Sequence, residues 1–246
     1  MQRSTSLAAV AVVCAAVWAT ASAAAGLPEL PAHPTVLEIS TRPWLYKLSK
    51  QYGRAIVSLR DIPLEEFQKI RQRGIDMVWM MGVWRLGDYG VQHDRTDPDL
   101  VANFKKLLPD YTPEDAIGSP YAPVNYTCNP TLCPNGDADL EWLRAKLHAL
   151  GLRLMLDFVP NHSGCDSPWM AGAGLDLYVR APAGTSDPAR YMANGVAYGS
   201  CPYSAPWTDV AQLNYWNPAL RAHMQTQLLR VAALADGVRC DMAYIV

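Results

Sequence analysis

Two short stretches place acids, amides and a base where strands should end. In "GVRCD", Arg239 and Asp241 lie two apart, so both side chains leave the same side of an extended strand while Cys240 leaves the other. An arginine beside a carboxylate keeps it ionised and aimed, which suits a nucleophilic or charge-stabilising acid. In "LMLDFVPNH", Asp157 interrupts an apolar run, and Asn161 and His162 follow Pro160. Each stretch has a plainer reading. An alternating Arg and Asp also makes a structural ion pair, and Asn-His after a proline also caps a strand. Those readings are the commoner ones for either stretch alone, and the joint appearance at successive strand ends raises the catalytic reading of both.

The elements that must position them repeat one plan: an amphipathic helix, a glycine and an apolar strand. "PLEEFQKIRQRG" starts at Pro63, puts Phe67 and Ile70 on one face, stops at Gly74 and leads into "IDMVWMMGVW". "DADLEWLRAKLHALG" places Leu140, Leu143, Leu147 and Leu150 on one stripe, stops at Gly151 and feeds "LRLMLDFV". "NPALRAHMQTQLLRVAALADG", with Asn217 as N-cap and Pro218 behind it, ends at Gly237 before "VRCDMAYIV". "TVLEIS" is an earlier strand of the same kind.

Such alternation means parallel strands covered on both sides, in a doubly wound sheet or a β/α barrel. A doubly wound sheet usually has a glycine-rich turn after its first strand, and "STRPWLYKLS" has none. The expected fold class is therefore α/β, a TIM-type (β/α)8 barrel. Only about four units fit in the chain, because connections at 85–136 and 163–216 are long loops. The expectation is an N-terminal half, truncated at residue 246.

The 246 residues are 50% apolar and 18% charged, the profile of a globular protein. Residues 1–23 read as a cleavable signal peptide, with Arg3, an apolar run and the small-residue pattern Ala21-Ser22-Ala23. Export to a secreted or periplasmic location follows, with 24–246 as the mature part. Losing Arg3 moves the net charge from -2 to -3, which implies no nucleic-acid partner, and no membrane association is expected after cleavage. Cys128, Cys133, Cys165, Cys201 and Cys240 remain, enough for two disulfides and one thiol; loop placement suggests Cys128 with Cys133 and Cys165 with Cys201. A zinc site is the rival, but no Cys-x-x-Cys pair supports it.

"DFVPNH" resembles the first signature of the α-amylase superfamily, glycoside hydrolase family thirteen, at its third barrel strand. "GVRCD" is similar to that family's Gly-x-Arg-x-Asp at the fourth strand. "GSPYAPVNY" and "DVAQLNYWNP" resemble two further runs of the family, so the likeness covers most of the chain from Thr35 onward. It implies a retaining α-glycosidase or transglycosylase acting on an α-linked oligosaccharide or polysaccharide. Asp241 would be the nucleophile and Arg239 its positioning partner. His162 would bind the sugar, Tyr121 would stack on it, and Asp157 would be a buried support. Asn161 would fix a loop and, in many members, ligate calcium.

The departures are as specific. The family often has a Lys-His pair three and four residues after the nucleophile, where this sequence has Tyr244 and Ile245. That argues against calcium near Asn161, and no cofactor or metal ligand set is assigned. Asn125 stands where an Asp is common, and the run from Arg95 to Tyr121 is long. The acid that protonates the leaving oxygen is, in the family, a Glu on the fifth strand, beyond Val246. The chain alone is therefore expected to be inactive, and the alternative is a non-catalytic or degenerate carbohydrate-binding fragment. Trp84, Trp169, Trp207 and Tyr203 are candidate sugar-stacking rings, though each taken singly reads more readily as loop packing.

Overall fold

The computed structural model describes residues 27–200 and 204–246. The signal segment expected at 1–23, Tyr203 and Cys201 lie outside the described residues. The chain begins with β1 (Val36–Ser40), α1 (Thr41–Tyr52), α2 (Leu64–Gln72), β2 (Met77–Met81) and β3 (Trp84–Leu86). There follow α3 (Asp88–Thr96), α4 (Pro98–Leu107), β4 (Pro123–Cys128), α5 (Asp137–Ala149) and β5 (Arg153–Phe158). It continues through β6 (His162–Gly164), β7 (Tyr198–Gly199), β8 (Trp207–Gln212), α6 (Pro218–Leu234) and β9 (Gly237–Cys240). These form two units, one of residues up to Met81 with 131–157 and 229–239, the other of 82–130, 158–228 and 240–246.

The first unit holds a four-stranded sheet in the order β1-β2-β5-β9, with β1, β2 and β5 running parallel. The expected α/β class with a parallel sheet is thus what the chain adopts. Register sets its two faces. Ile39 pairs with Met80 and Val78 with Leu154, and all four are buried. Glu38 pairs with Trp79 and Trp79 with Met155, and this opposite face is only partly covered. Alternation puts Asp157 on the second face. A side chain on Gly237 would meet Met77 Sδ at 3.1 Å and Met155 Cε at 3.3 Å, so Gly237, and with it Arg239, belongs there too.

The helices of this unit each bury one stripe: Leu45 and Leu48 in α1, Phe67 and Ile70 in α2, and Leu140, Leu143 and Leu147 in α5. Gly74 and Gly151 follow α2 and α5 at φ +82° and +72°, a left-handed conformation that stops the helix and that other residues adopt at a cost. The helix α1 is an addition to the sequence reading, which left "TRPWLYKLSKQY" unassigned.

The second unit contains the segments read as long loops, and they carry elements of their own. β3 and β4 form an antiparallel pair, and β6-β8-β7 a three-stranded antiparallel sheet in which His162 faces Gln212. Strands of two or three residues are too short for a period to show in sequence. α4 is capped by Asp97, whose carboxylate accepts from the backbone N–H groups of Asp99 and Leu100. Asn217 Oδ1 accepts from the Ala219 N–H at 2.9 Å, the cap read from sequence.

Cys128 and Cys133 are joined in a disulfide. The pairing of Cys165 with Cys201 is corrected: Cys165 is a free, buried thiol, its Sγ 3.7 Å from the Thr208 carbonyl. Trp84 takes the plainer of its two readings. It is 1% exposed and packs edge-on against Tyr126 at 5.5 Å, so it is core rather than a sugar platform. Among the described residues no helix is long and apolar enough to cross a membrane.

Candidate active site

In the first unit, neighbouring strands β5 and β9 bring Asp157 and Arg239 together. Arg239 Nη1 lies 3.6 Å from Asp157 Oδ1, and the guanidinium carbon lies 4.9 Å from the centre of the Trp79 ring. Asp157 is 2% exposed, whereas a third of the Arg239 side chain stays open to solvent. A guanidinium with a carboxylate at its edge and an indole on its face has few orientations left. Trp79 was read only as part of an apolar strand; its place opposite Met155 in the register is what reveals its role.

In the second unit, the turn after β5 is held by Tyr126. Its hydroxyl donates to the Val159 carbonyl at 3.0 Å and accepts from the Val159 N–H at 2.9 Å. Pro160 has no N–H to offer, so ladder pairing stops there. Asn161, wholly buried, donates through Nδ2 to His162 Nδ1 at 3.1 Å, and its Oδ1 accepts from Gln212 Nε2 at 2.9 Å. His162 donates through Nε2 to the Tyr121 carbonyl at 2.9 Å, and Trp207 packs edge-on against its ring at 5.5 Å. Burial pushes the His162 pKa below its ordinary value, while the bond to Tyr121 and the charges of Asp241 and Asp209 oppose the shift.

Asp241, 7% exposed, is anchored by its backbone N–H, which donates to the Phe158 carbonyl at 2.8 Å. The next residue, Met242, is the one non-glycine among the described residues with positive φ, at +48°. Backbone strain of that kind gathers at functional sites. Of the sequence-predicted residues, Asp157 and Arg239 meet directly, and His162 meets the backbone of Tyr121 and feels the charge of Asp241. Trp169 packs on Tyr126 at 6.1 Å and His223 at 4.7 Å, so its ring has protein neighbours. Gln212 was passed over because an amide in "DVAQLNYWNP" carries no signal of its own.

Calcium does not fit the residues around Asn161. Both ends of its amide are committed to Gln212 and His162, and among the described residues no three His, Cys, Asp or Glu side chains cluster to hold a metal. The site is built from hydrogen bonds.

A parallel sheet with helices between its strands places the chain in the α/β class. No family model matches the sequence. It is 24% identical over 215 residues to "Probable oligo-1,6-glucosidase 2" of Bacillus subtilis (strain 168), covering 79% of this chain and 32% of that protein. It is 28% identical over 114 residues to "Alpha-amylase MalA" of Haloarcula japonica, covering 44% and 15%. The solved alpha-amylase of Lactobacillus plantarum superposes with a TM-score of 0.58 at 21% identity, over 87% of this chain and 39% of that one. These likenesses support the α-amylase family for the matched part of the chain, and its structural neighbours are (β/α)8-barrel enzymes. The chain spans about a third or less of the length of the curated relatives it matches.

Proposed function

We propose that this chain is part of an exported α-glucan- or α-glucoside-active glycoside hydrolase that works with retention. The observation that carries the reading is Arg239, held between Asp157 and Trp79 two residues before Asp241. In this reading the Asp241 carboxylate attacks the anomeric carbon and the glycosidic bond breaks. The leaving oxygen takes a proton from a carboxylic acid whose carboxyl group lies about 5–5.5 Å from that of the nucleophile, and water then hydrolyses the glycosyl ester. Arg239 is the positioning partner of Asp241, and Asp157 braces Arg239. His162 and Tyr121 line the subsite for the sugar that is cleaved.

The proton donor is not one of this chain's glutamates. The six are Glu29, Glu38, Glu65, Glu66, Glu114 and Glu141, and none stands at the carboxyl end of a strand. Asp157 is taken up by Arg239, 3.6 Å away, and is read as its brace rather than as the acid. The 246-residue chain should therefore bind maltooligosaccharides without turning them over. Titration of the chain with maltotriose, followed by NMR and by product analysis, tests this. Binding lost in His162→Ala and kept in Asp241→Asn is the expected pattern. Turnover that Asp241→Asn abolishes overturns the inactivity, and no binding to any α-glucoside overturns the carbohydrate reading.

A further inference from the structure

Gln212 lies opposite His162 in the β6-β8 pair, and its side chain reaches back to Asn161. Three oxygens converge on its amide nitrogen Nε2: the Asn161 carbonyl at 3.0 Å, Asn161 Oδ1 at 2.9 Å and the Leu213 carbonyl at 3.4 Å. Its Oε1 accepts from the Ser200 N–H at 3.0 Å. The amide can face only this way, since two backbone carbonyls, which only accept, lie at its nitrogen and the Ser200 N–H, which only donates, lies at its oxygen.

The direction then passes along the chain of bonds. Asn161 Oδ1 is taken by Gln212, so its Nδ2 faces His162 Nδ1 and donates to it. His162 Nε2 faces a carbonyl and must carry the proton, which leaves Nδ1 bare to accept. Every link agrees with the next, from Ser200 to Tyr121. Asn161 is wholly buried, so a wrong orientation would strand a polar group away from water.

We propose that Gln212 is a positioning residue for His162. Its NH2 group gathers the oxygens of Asn161 and Leu213 as a bound cation would, and so locks His162 in the Nε2–H tautomer without a metal. The inference builds on the proposed role of His162 at the sugar subsite. Its readout is a ring tautomer and owes nothing to activity. A wrong tautomer refutes the lock, whereas a right tautomer in a chain that binds no sugar refutes only the subsite.

The test uses the full chain with 15N-labelled histidine. In wild type, His162 should show a protonated Nε2 and a bare Nδ1, and the melting midpoint should be the same in EDTA and in millimolar Ca2+. Gln212→Ala should convert the His162 signals to a tautomer mixture. Gln212→Glu replaces the nitrogen by a fourth oxygen, and should melt about 5 °C or more higher in Ca2+ than in EDTA. A wild-type Nδ1–H tautomer, a wild-type midpoint that rises with Ca2+, or His162 signals unmoved by Gln212→Ala would each overturn the proposal. If neither variant folds, the two wild-type measurements still decide.

Discussion

Replacing Tyr126 by Phe removes one oxygen and nothing else. The ring is 2% exposed, packs edge-on with Trp84 at 5.5 Å and stacks on Phe158 at 5.2 Å, contacts that the variant keeps. What it loses is a hydroxyl bonded to both the N–H and the C=O of Val159. Val159 is fully buried and Pro160 follows it, so the strand ladder does not continue past this point. Leaving one buried polar group unmade costs about 1–3 kcal/mol. Two such groups on one peptide unit, partly relieved by local relaxation, give about 2–4 kcal/mol. For a chain of this size that is a fall of roughly 4–16 °C in melting midpoint. Urea unfolding followed by tryptophan fluorescence measures it, with the m-value expected to hold because the surface exposed on unfolding is the same. A loss below about 0.5 kcal/mol would refute the reasoning, since it would mean that Val159 finds other partners or water. The same variant should also disturb the His162 tautomer, because Asn161 and His162 are the second and third residues after Val159.

Burial holds both His162 and His223 below the ordinary histidine value of 6.5, so each binds a proton more readily in the unfolded chain. Their contribution is complete above pH about 6.5 and is lost as pH falls below it; urea midpoints at pH 7.5 and 5.5 should show the drop, and His223→Gln should lessen it. Native alkylation should label exposed Cys240 at least about tenfold faster than Cys165, whose thiol is pushed up by burial and by Asp209 and Asp166, as peptide mass spectrometry over time would show. Cys128→Ser together with Cys133→Ser opens a short closed loop, and chemical unfolding should register a loss of about 2 kcal/mol. Met242→Gly relieves a left-handed backbone and should gain about 0.5 kcal/mol; a clear loss would mean that the Met242 side chain packs more than its backbone is strained.

The parallel sheet was legible because its signals are local. Each of its strands is a short apolar run, three of them preceded by a helix with one apolar stripe and a glycine, and a period can be counted over such lengths. The buried supporting place of Asp157 came from the family resemblance; alternation fixes the side on which a residue emerges but not which strands are neighbours. The antiparallel sheets around His162 were not legible. β7 has two residues and β6 three, so their pairing is chosen by partners distant in sequence rather than by a pattern of their own. The roles of Trp79 and Gln212 were hidden for a related reason. An indole in an apolar strand and an amide in a polar run look ordinary until register puts a guanidinium over one and three oxygens around the other. Cysteine number and loop placement suggested two bridges, but neither says which way a side chain turns, and Cys165 turns toward the Thr208 carbonyl.

β5 and β9 are neighbours in the sheet, yet 78 residues separate Phe158 from Gly237. Bringing such distant ends together costs roughly 1.3 kcal/mol more than closing a crossover of about 18 residues, by the logarithmic dependence on loop length. That difference falls on the rate of folding more than on its endpoint. The β6-β8-β7 sheet lies inside the intervening segment, and when it forms first it shortens the free chain that must be searched. The Arg239 guanidinium therefore reaches Asp157 late on the way to the native state, and substitutions of that pair should speed unfolding while leaving the refolding rate nearly unchanged.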